Sequence, residues 1–283
     1  MRQATPARPV LAMPVLAMLV LAMLVLVAVG TAGCGTAAAA PSPGASGAAR
    51  PSPDYAAAVA SAVSEEAYAA GKAASPAATP RIRYPARGGG RWRTAPAQDT
   101  PVAGRHGPLL SYRVLVEQDI RGLDGTAFAD TVTATLADPR GWTAGGRWRL
   151  RRVGPGDRYD FTIYLATPAT RDALCGDRPD GYTSCRNGDK VVLNVARWAK
   201  GVPHYGASLS VYRQYMVNHE VGHRLGQGHQ RCPGPGRPAP VMQQQTLGLH
   251  GCVANSWPYA DGVMYAGASG EYGDEPPPPD EGQ

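Results

Sequence analysis

Residues 219–229 read HEVGHRLGQGH and hold three of the six histidines in the chain. On a helix, His219 and His223 lie one turn apart on the same face, so their imidazoles can converge on one metal ion. Glu220, beside the first histidine, can hold a water molecule on that ion and accept its proton without being a ligand. The spacing therefore predicts a helix that presents a metal site together with its general base.

His229 can join the other two histidines only if the chain turns after the helix. We place this helix-ending turn at Gly226, because glycine reaches the left-handed conformation at little steric cost. Three neutral imidazoles with an open fourth position are the ligands of a catalytic zinc, whereas structural zinc sites usually close with cysteines. We therefore predict Zn²⁺ bound by His219, His223 and His229, with Glu220 as the catalytic residue.

The motif resembles the pattern of the metzincin clan of zinc metallopeptidases, in which H-E-x-x-H-x-x-G-x-x-H precedes a methionine-containing turn. The sequence APVMQ at residues 239–243 lies where that Met-turn would be, which makes Met242 the candidate for the thioether beneath the metal. The span from about Tyr84 to Tyr259 is also similar to an exported actinobacterial family of unassigned function described as metzincin-like. The similar stretches are residues 136–142, 184–186, 194–198, 218–229 and 239–245.

The resemblance implies a zincin or metzincin-like fold with a mixed twisted sheet, an active-site helix and a Met-turn. It also implies an endopeptidase, in which Glu220 takes a proton from zinc-bound water and passes it to the leaving amine. Tyr205, His250 and Tyr259 are candidate donors to the developing negative charge, although each also has a structural interpretation. In the clan, the peptide pairs with an edge strand, for which residues 161–166 are the candidate. The alternative function is a catalytically silent module that binds envelope components or protein partners.

Periodicity elsewhere in the chain predicts an α+β domain. The predicted strands are residues 112–116, 148–153, 161–165 and 191–195, the last after a tight turn at Asn187-Gly188. Asp124 can cap a helix whose apolar stripe is Phe128, Val132 and Leu136. A long helix is predicted around residues 208–225, so the metal motif lies near its carboxyl end.

Residues 1–33 carry two arginines followed by a long apolar run, which indicates an export signal. They end in small residues before Cys34 and so resemble a lipoprotein signal peptide, in which this cysteine is lipidated. An uncleaved signal anchor is the alternative, because about 20 apolar residues can span a bilayer. Both interpretations place the protein outside the cytoplasm, anchored to the membrane or secreted. Residues 34–83, rich in Ala, Pro, Gly and Ser, are predicted to be a disordered tether.

An odd number of cysteines in an exported protein needs an explanation, and Cys34 as a lipid site supplies one. Three pairings remain open for the other four cysteines, and closeness in sequence favours Cys175 with Cys185 and Cys232 with Cys252.

We assign residues 84–260 to the zinc domain and residues 261–283 to an acidic, disordered tail, because the tail has six acidic residues and no basic one. Arginines at 147, 149 and 151 alternate with apolar residues, which indicates a strand face rather than a nucleic-acid site. Export would also separate the protein from most of the nucleic acids in the cell. We expect a monomer that acts on a peptide or protein substrate and contacts the membrane through its N-terminal lipid or signal anchor.

Overall fold

The protein, described by a computed structural model over residues 81–283, is built around a mixed β-sheet. Its strands are β1 (Trp92–Thr94), β2 (Leu109–Glu117), β3 (Arg149–Arg152), β4 (Phe161–Ala166), β5 (Cys185–Asn187), β6 (Lys190–Asn194), β7 (Tyr259–Ala260) and β8 (Val263–Met264). Its helices are α1 (Gly125–Ala137), α2 (Pro168–Cys175), α3 (Val195–Lys200) and α4 (Leu209–Arg224). The α+β class predicted from the periodicity is confirmed.

The main sheet has the strand order β1-β2-β4-β6-β5, and β3 pairs with β2 beside β1. Strands β2, β4 and β6 run parallel, whereas β5 is antiparallel to β6 and forms an edge. The prediction that residues 161–166 are the edge strand is therefore wrong, because β4 has a partner on each side. Five of its six residues are buried, as is typical of a central strand that is covered on both faces.

Side chains from one face of the sheet enter the main core with the two longest helices. Tyr112 and Val114 of β2 join Phe161 and Ile163 of β4 in this core. Helix α1 contacts β2 and β3, α4 contacts β6, and the two helices also contact each other. The sheet thereby supports the helix that carries the HEVGH sequence.

Local sequence signals set several element boundaries. The Asp124 carboxylate accepts hydrogen bonds from the backbone N–H groups of Thr126, at 2.7 Å, and Ala127, at 3.3 Å, which confirms the predicted cap of α1. The predicted strand 191–195 ends one residue early. Asn194 accepts a hydrogen bond from the N–H of Ala196 at 2.9 Å, so Val195 begins α3 instead.

Two disulfides link Cys175 to Cys185 and Cys232 to Cys252, which confirms the predicted pairing. The first ties the end of α2 to the edge strand β5, and the second joins two loops after α4. Both bonds indicate an extracytoplasmic protein, since disulfides persist in oxidising compartments. Among the helices within residues 81–283, none combines the length and apolarity needed to cross a membrane.

We expect the double variant Cys232→Ser, Cys252→Ser to lower the free energy of unfolding by about 3 kcal/mol, because the bridge closes a loop of 20 residues in the unfolded chain. Urea unfolding under non-reducing conditions measures the change. The control is wild-type protein that has been alkylated without reduction. A variant as stable as this control would contradict the prediction.

The predicted signal peptide (residues 1–33), the lipidation site Cys34 and most of the predicted tether lie outside the described residues. The end of the tether, however, belongs to the folded part of the chain. Arg83 and Arg121 exchange two backbone hydrogen bonds of 2.9 and 2.8 Å. The side chain of Tyr84 is buried in the core.

Residues 261–283 correct the prediction of a disordered tail. Asp280 forms ion pairs with Arg197 and Lys200 at 3.2 and 3.0 Å. Gln283 exchanges backbone hydrogen bonds of 2.8 and 2.9 Å with Tyr84. Composition misled the prediction because the acidic residues of this segment meet basic partners that are distant in sequence.

Candidate metal centre

Helix α4 carries two of the histidines to the sheet. The Ser208 hydroxyl accepts a hydrogen bond from the N–H of Val211 at 3.4 Å and caps the first turn. At the other end of the helix, His219 and Glu220 are buried, and His223 is half-buried. The helix therefore presents both imidazoles from its covered face, as the spacing predicts.

The chain reverses direction directly after α4. Gly226 has a φ of +87°, and the N–H of Gln227 donates to the carbonyl of Gly222 at 2.9 Å. This reversal brings His229 back to the helix, so the predicted helix-ending turn is in place. The Nε2 atom of His223 lies 3.2 Å from that of His219 and 3.1 Å from that of His229.

Each imidazole is oriented by a hydrogen bond at its other nitrogen. The Nδ1 of His219 donates to the carbonyl oxygen of Val241 at 2.8 Å, and that of His223 donates to the carbonyl oxygen of Gln227 at 2.9 Å. The Nδ1 of His229 lies 2.8 Å from a carboxylate oxygen of Glu271. All three partners are acceptors, so each Nδ1 carries a proton and each Nε2 keeps its lone pair. Three lone pairs thus face one another, an arrangement that suits a cation.

Burial keeps two of these imidazoles neutral. Burial, assisted by the nearby His223 and His229, lowers the pKa of His219 well below its ordinary value. Burial and the neighbouring His229 lower the pKa of His223 to about 4. Neutral imidazole is the form that binds metals, so His219 and His223 can accept an ion at neutral pH.

Glu220 lies beside the triad in the same cavity. Its side-chain atom Oε2 is buried and has no hydrogen-bond partner among residues 81–283. Burial raises the pKa of this carboxyl to about 8, although the Arg171 guanidinium acts in the opposite direction. A buried carboxyl oxygen without a partner is costly unless a further group binds there, and a cation bound by the triad would favour the ionised form of Glu220. The residues present therefore fit a metal ion, which His219, His223 and His229 would hold while Glu220 keeps an oxygen free to bind a further ligand.

Met242 lies in a turn beneath α4, next to the residue that orients His219. The N–H of Gln243 donates to the carbonyl of Pro240 at 2.9 Å and closes the turn. The carbonyl of Met242 accepts a hydrogen bond of 3.1 Å from the N–H of Gln230, the residue after His229. The Met242 side chain is buried and packs against Gly222 of the helix.

We expect Gly222→Ala to lower the free energy of unfolding by about 1–3 kcal/mol. A Cβ at this position would lie 2.6 Å from Cζ2 of Trp142 and would also collide with the Met242 sulfur. Trp142 cannot easily move, because its indole N–H donates to the carbonyl of Asn218 at 2.8 Å. Chemical denaturation measures the effect. Gly228→Ala is the matched control, since nothing lies within 4 Å of its added Cβ; equal stability of the two variants would contradict the prediction.

The cavity over the triad has a volume of about 860 Å³. Its walls come from α4, from the region of α2 and β5, and from the C-terminal segment. The basic lining residues are Arg171, Arg178 and Arg186. Arg171 is almost fully buried and forms ion pairs with Asp172, Asp177 and Asp180.

The three candidate oxyanion donors do not line this cavity. The Tyr205 hydroxyl donates to Gln245 at 3.1 Å, and the His250 ring bonds Asp274 at 2.7 Å. Tyr259 is buried and packs against Gly145. These contacts favour a structural role for all three residues.

Among the lining residues that the sequence did not predict, two have side chains next to the triad, Tyr215 and Glu271. Tyr215 lies one turn before His219, with its ring centroid 5.3 Å away, and its helical spacing of four residues could have identified it. Glu271 follows His229 by 42 residues, and no local pattern connects the two.

Comparisons with known proteins identify a family but no function. No curated protein and no solved structure matches the chain. A family model with the description "Protein of unknown function (DUF3152)" matches residues 79–256. The match spans more than half of the chain and includes the three histidines, Glu220 and Met242. The chain therefore belongs to the family described as "Protein of unknown function (DUF3152)".

Proposed function

We propose that this protein is an exported, zinc-dependent peptidase of the metzincin type. The observation that carries the proposal is the convergence of three imidazole Nε2 atoms beside the buried, unpartnered oxygen of Glu220, within one cavity. Attachment to the membrane through Cys34 is part of the proposal and stays a prediction.

The ligand chemistry favours zinc. Its three candidate donors are imidazole Nε2 atoms, and the Nδ1 atoms of the same rings are held by two backbone carbonyls and one carboxylate. All four cysteines within residues 81–283 are in disulfides, so thiolates are not offered to a metal there. Three imidazoles with an open position are typical of catalytic zinc. When bound, zinc supplies Lewis acidity, which acidifies a water molecule and polarises a peptide carbonyl.

Glu220 then serves as the general base. It takes a proton from the attacking water and returns that proton to the leaving amine as the peptide bond breaks. Two features of the fold support this role. His219, the neighbour of Glu220 in the sequence, is fixed by the Val241 carbonyl, and the side chain of Glu220 has an oxygen free to bind water.

The edge strand β5 is the best candidate to bind the peptide. Its inner side pairs with β6, and residues 184–186 line the cavity over the triad. The outer side of an edge strand offers unpaired backbone N–H and C=O groups. An extended peptide can form hydrogen bonds with them through its own backbone. The disulfide from Cys185 to Cys175 holds this strand against the fold.

Metal analysis combined with digestion of a peptide library tests the proposal. We expect about one zinc ion per chain and cleavage that stops on chelation and returns with added zinc. Protein purified without chelators that lacks zinc, and does not take it up, would refute the proposal. Bound zinc without cleavage of any peptide would instead support the binding-module alternative.

A further inference from the structure

Residues 271–280, with the sequence EYGDEPPPPD, form a segment that we call the strap. Three of its four acidic residues, Glu271, Asp274 and Glu275, and all four of its prolines line the same cavity as the histidine triad. The strap follows the end of the family match at residue 256.

One end of the strap is held beside the third histidine. The Glu271 carboxylate contacts Nδ1 of His229, and the Glu271 carbonyl accepts a hydrogen bond of 3.0 Å from Nε of Arg231. Tyr272 stacks on His250 with ring centroids 3.5 Å apart, and its hydroxyl accepts a hydrogen bond from the N–H of Cys232 at 3.0 Å. These contacts fix the strap to the loop that follows α4.

The other end is held by two basic side chains and a tyrosine that lie outside the cavity lining. Asp280 accepts charge-assisted hydrogen bonds from Arg197 and Lys200 and a further one of 3.1 Å from the Tyr84 hydroxyl. The side chains of Arg197 and Asp280 are only 6% and 10% exposed, so solvent screens this pair weakly. Pro279 packs against Gly181, close to the Arg178 and Arg186 side of the cavity.

Between these two ends, the strap has little freedom to move aside. Four consecutive prolines favour the extended polyproline II conformation, which needs no internal hydrogen bonds. Because both ends are fixed, the strap stays part of the lining of the cavity over the triad. A polypeptide that approached the triad from this side would have to displace it.

We propose that the strap is an inhibitory cover of the histidine site and that its release from the Asp280 anchor opens the cavity to polypeptide chains. The part of this proposal that concerns polypeptide substrates rests on the proposed peptidase function. The covering of the triad does not, because it is argued from the place of the strap in the cavity lining and from its contact with His229.

The test uses the full-length chain with Asp280→Asn, which removes the anchoring charge, and Asp280→Lys, which repels Arg197 and Lys200. The matched control is Glu281→Lys, because Glu281 is the neighbouring residue and its side chain is exposed. Hydrogen exchange at the amides of Asp280, Gly282 and Gln283, which are hydrogen-bonded in the fold, reports whether the strap is released. Carbethoxylation of His223 and His229 by diethyl pyrocarbonate in metal-free protein reports access to the site without relying on activity.

We expect Asp280→Lys to speed exchange in the strap and carbethoxylation of the two histidines by about tenfold, with a smaller change for Asp280→Asn and none for the control. Zinc-loaded Asp280→Lys should also digest casein faster than wild type. Unchanged strap exchange would overturn the role of the Asp280 anchor, and a released strap with unchanged histidine access would overturn the cover. Faster carbethoxylation with no digestion by any variant would refute the peptidase function while the cover stands.

Discussion

Replacing Glu220 with glutamine is expected to reduce peptide hydrolysis by about 10²–10⁴-fold, the usual contribution of a general base. Glutamine has nearly the same shape, but its amide cannot take the proton of the attacking water. Zinc content should stay at the wild-type level, because the three imidazoles supply the ligands. The measurements are kcat/KM for a library-derived peptide and the metal content of the same preparation.

Glu281→Gln is the control for this experiment, since it makes the same chemical change at an exposed position. It should leave hydrolysis unchanged. Hydrolysis by Glu220→Gln at the wild-type rate would exclude Glu220 as the base. If the wild type binds zinc and a partner but hydrolyses nothing, an unchanged phenotype of Glu220→Gln would support the silent binding module.

His223→Ala is expected to abolish stable zinc binding. His223 is the central member of the triad, because its Nε2 lies within 3.2 Å of the Nε2 of both other histidines. Its loss leaves two imidazoles, which are too few for the three-ligand site of a catalytic zinc. At a free zinc concentration about 1,000 times the Kd, zinc should raise the free energy of unfolding of the wild type by about 4 kcal/mol, and this increase should be absent in the variant. Metal analysis and thermal unfolding with and without zinc provide the readouts.

His106→Ala controls for the general effect of removing a histidine, because His106 is exposed and lies outside the triad. Its zinc content and zinc-dependent stabilisation should match those of the wild type. Full zinc occupancy in His223→Ala would show that the ion binds elsewhere and would remove the basis of the proposed peptidase.

The triad was predictable because its geometry is local. Helical spacing sets the relation of His219 to His223, and a single left-handed residue, Gly226, determines where the chain turns. The same holds for α1, whose start depends on the side chain of Asp124. Each of these signals acts over a few residues, so the sequence alone contains it.

Features that depend on distant contacts escaped prediction. Alternation identified residues 161–166 as a strand but could not say which strands would pair with it. Acidic composition suggested a disordered tail, whereas Asp280 is held by residues about 80 positions earlier in the chain. Helix α2 was also missed, although Pro168 at its start and Gly176, with a φ of +68°, at its end are recognisable signals.

The hydrogen bond from Gln230 to Met242 determines where this part of the chain can be lengthened. It closes residues 231–241 into a loop whose base fixes both the third histidine and the methionine turn. The tip of this loop, around residues 235–237, is exposed. The N–H of Gly236 donates to the carbonyl of Gly251, and the carbonyl of Arg237 accepts from the N–H of Val253. An insertion, for example of an engineered label or epitope, is therefore expected to be tolerated best just before Gly236, where it would lengthen the exposed part of the loop without moving its base.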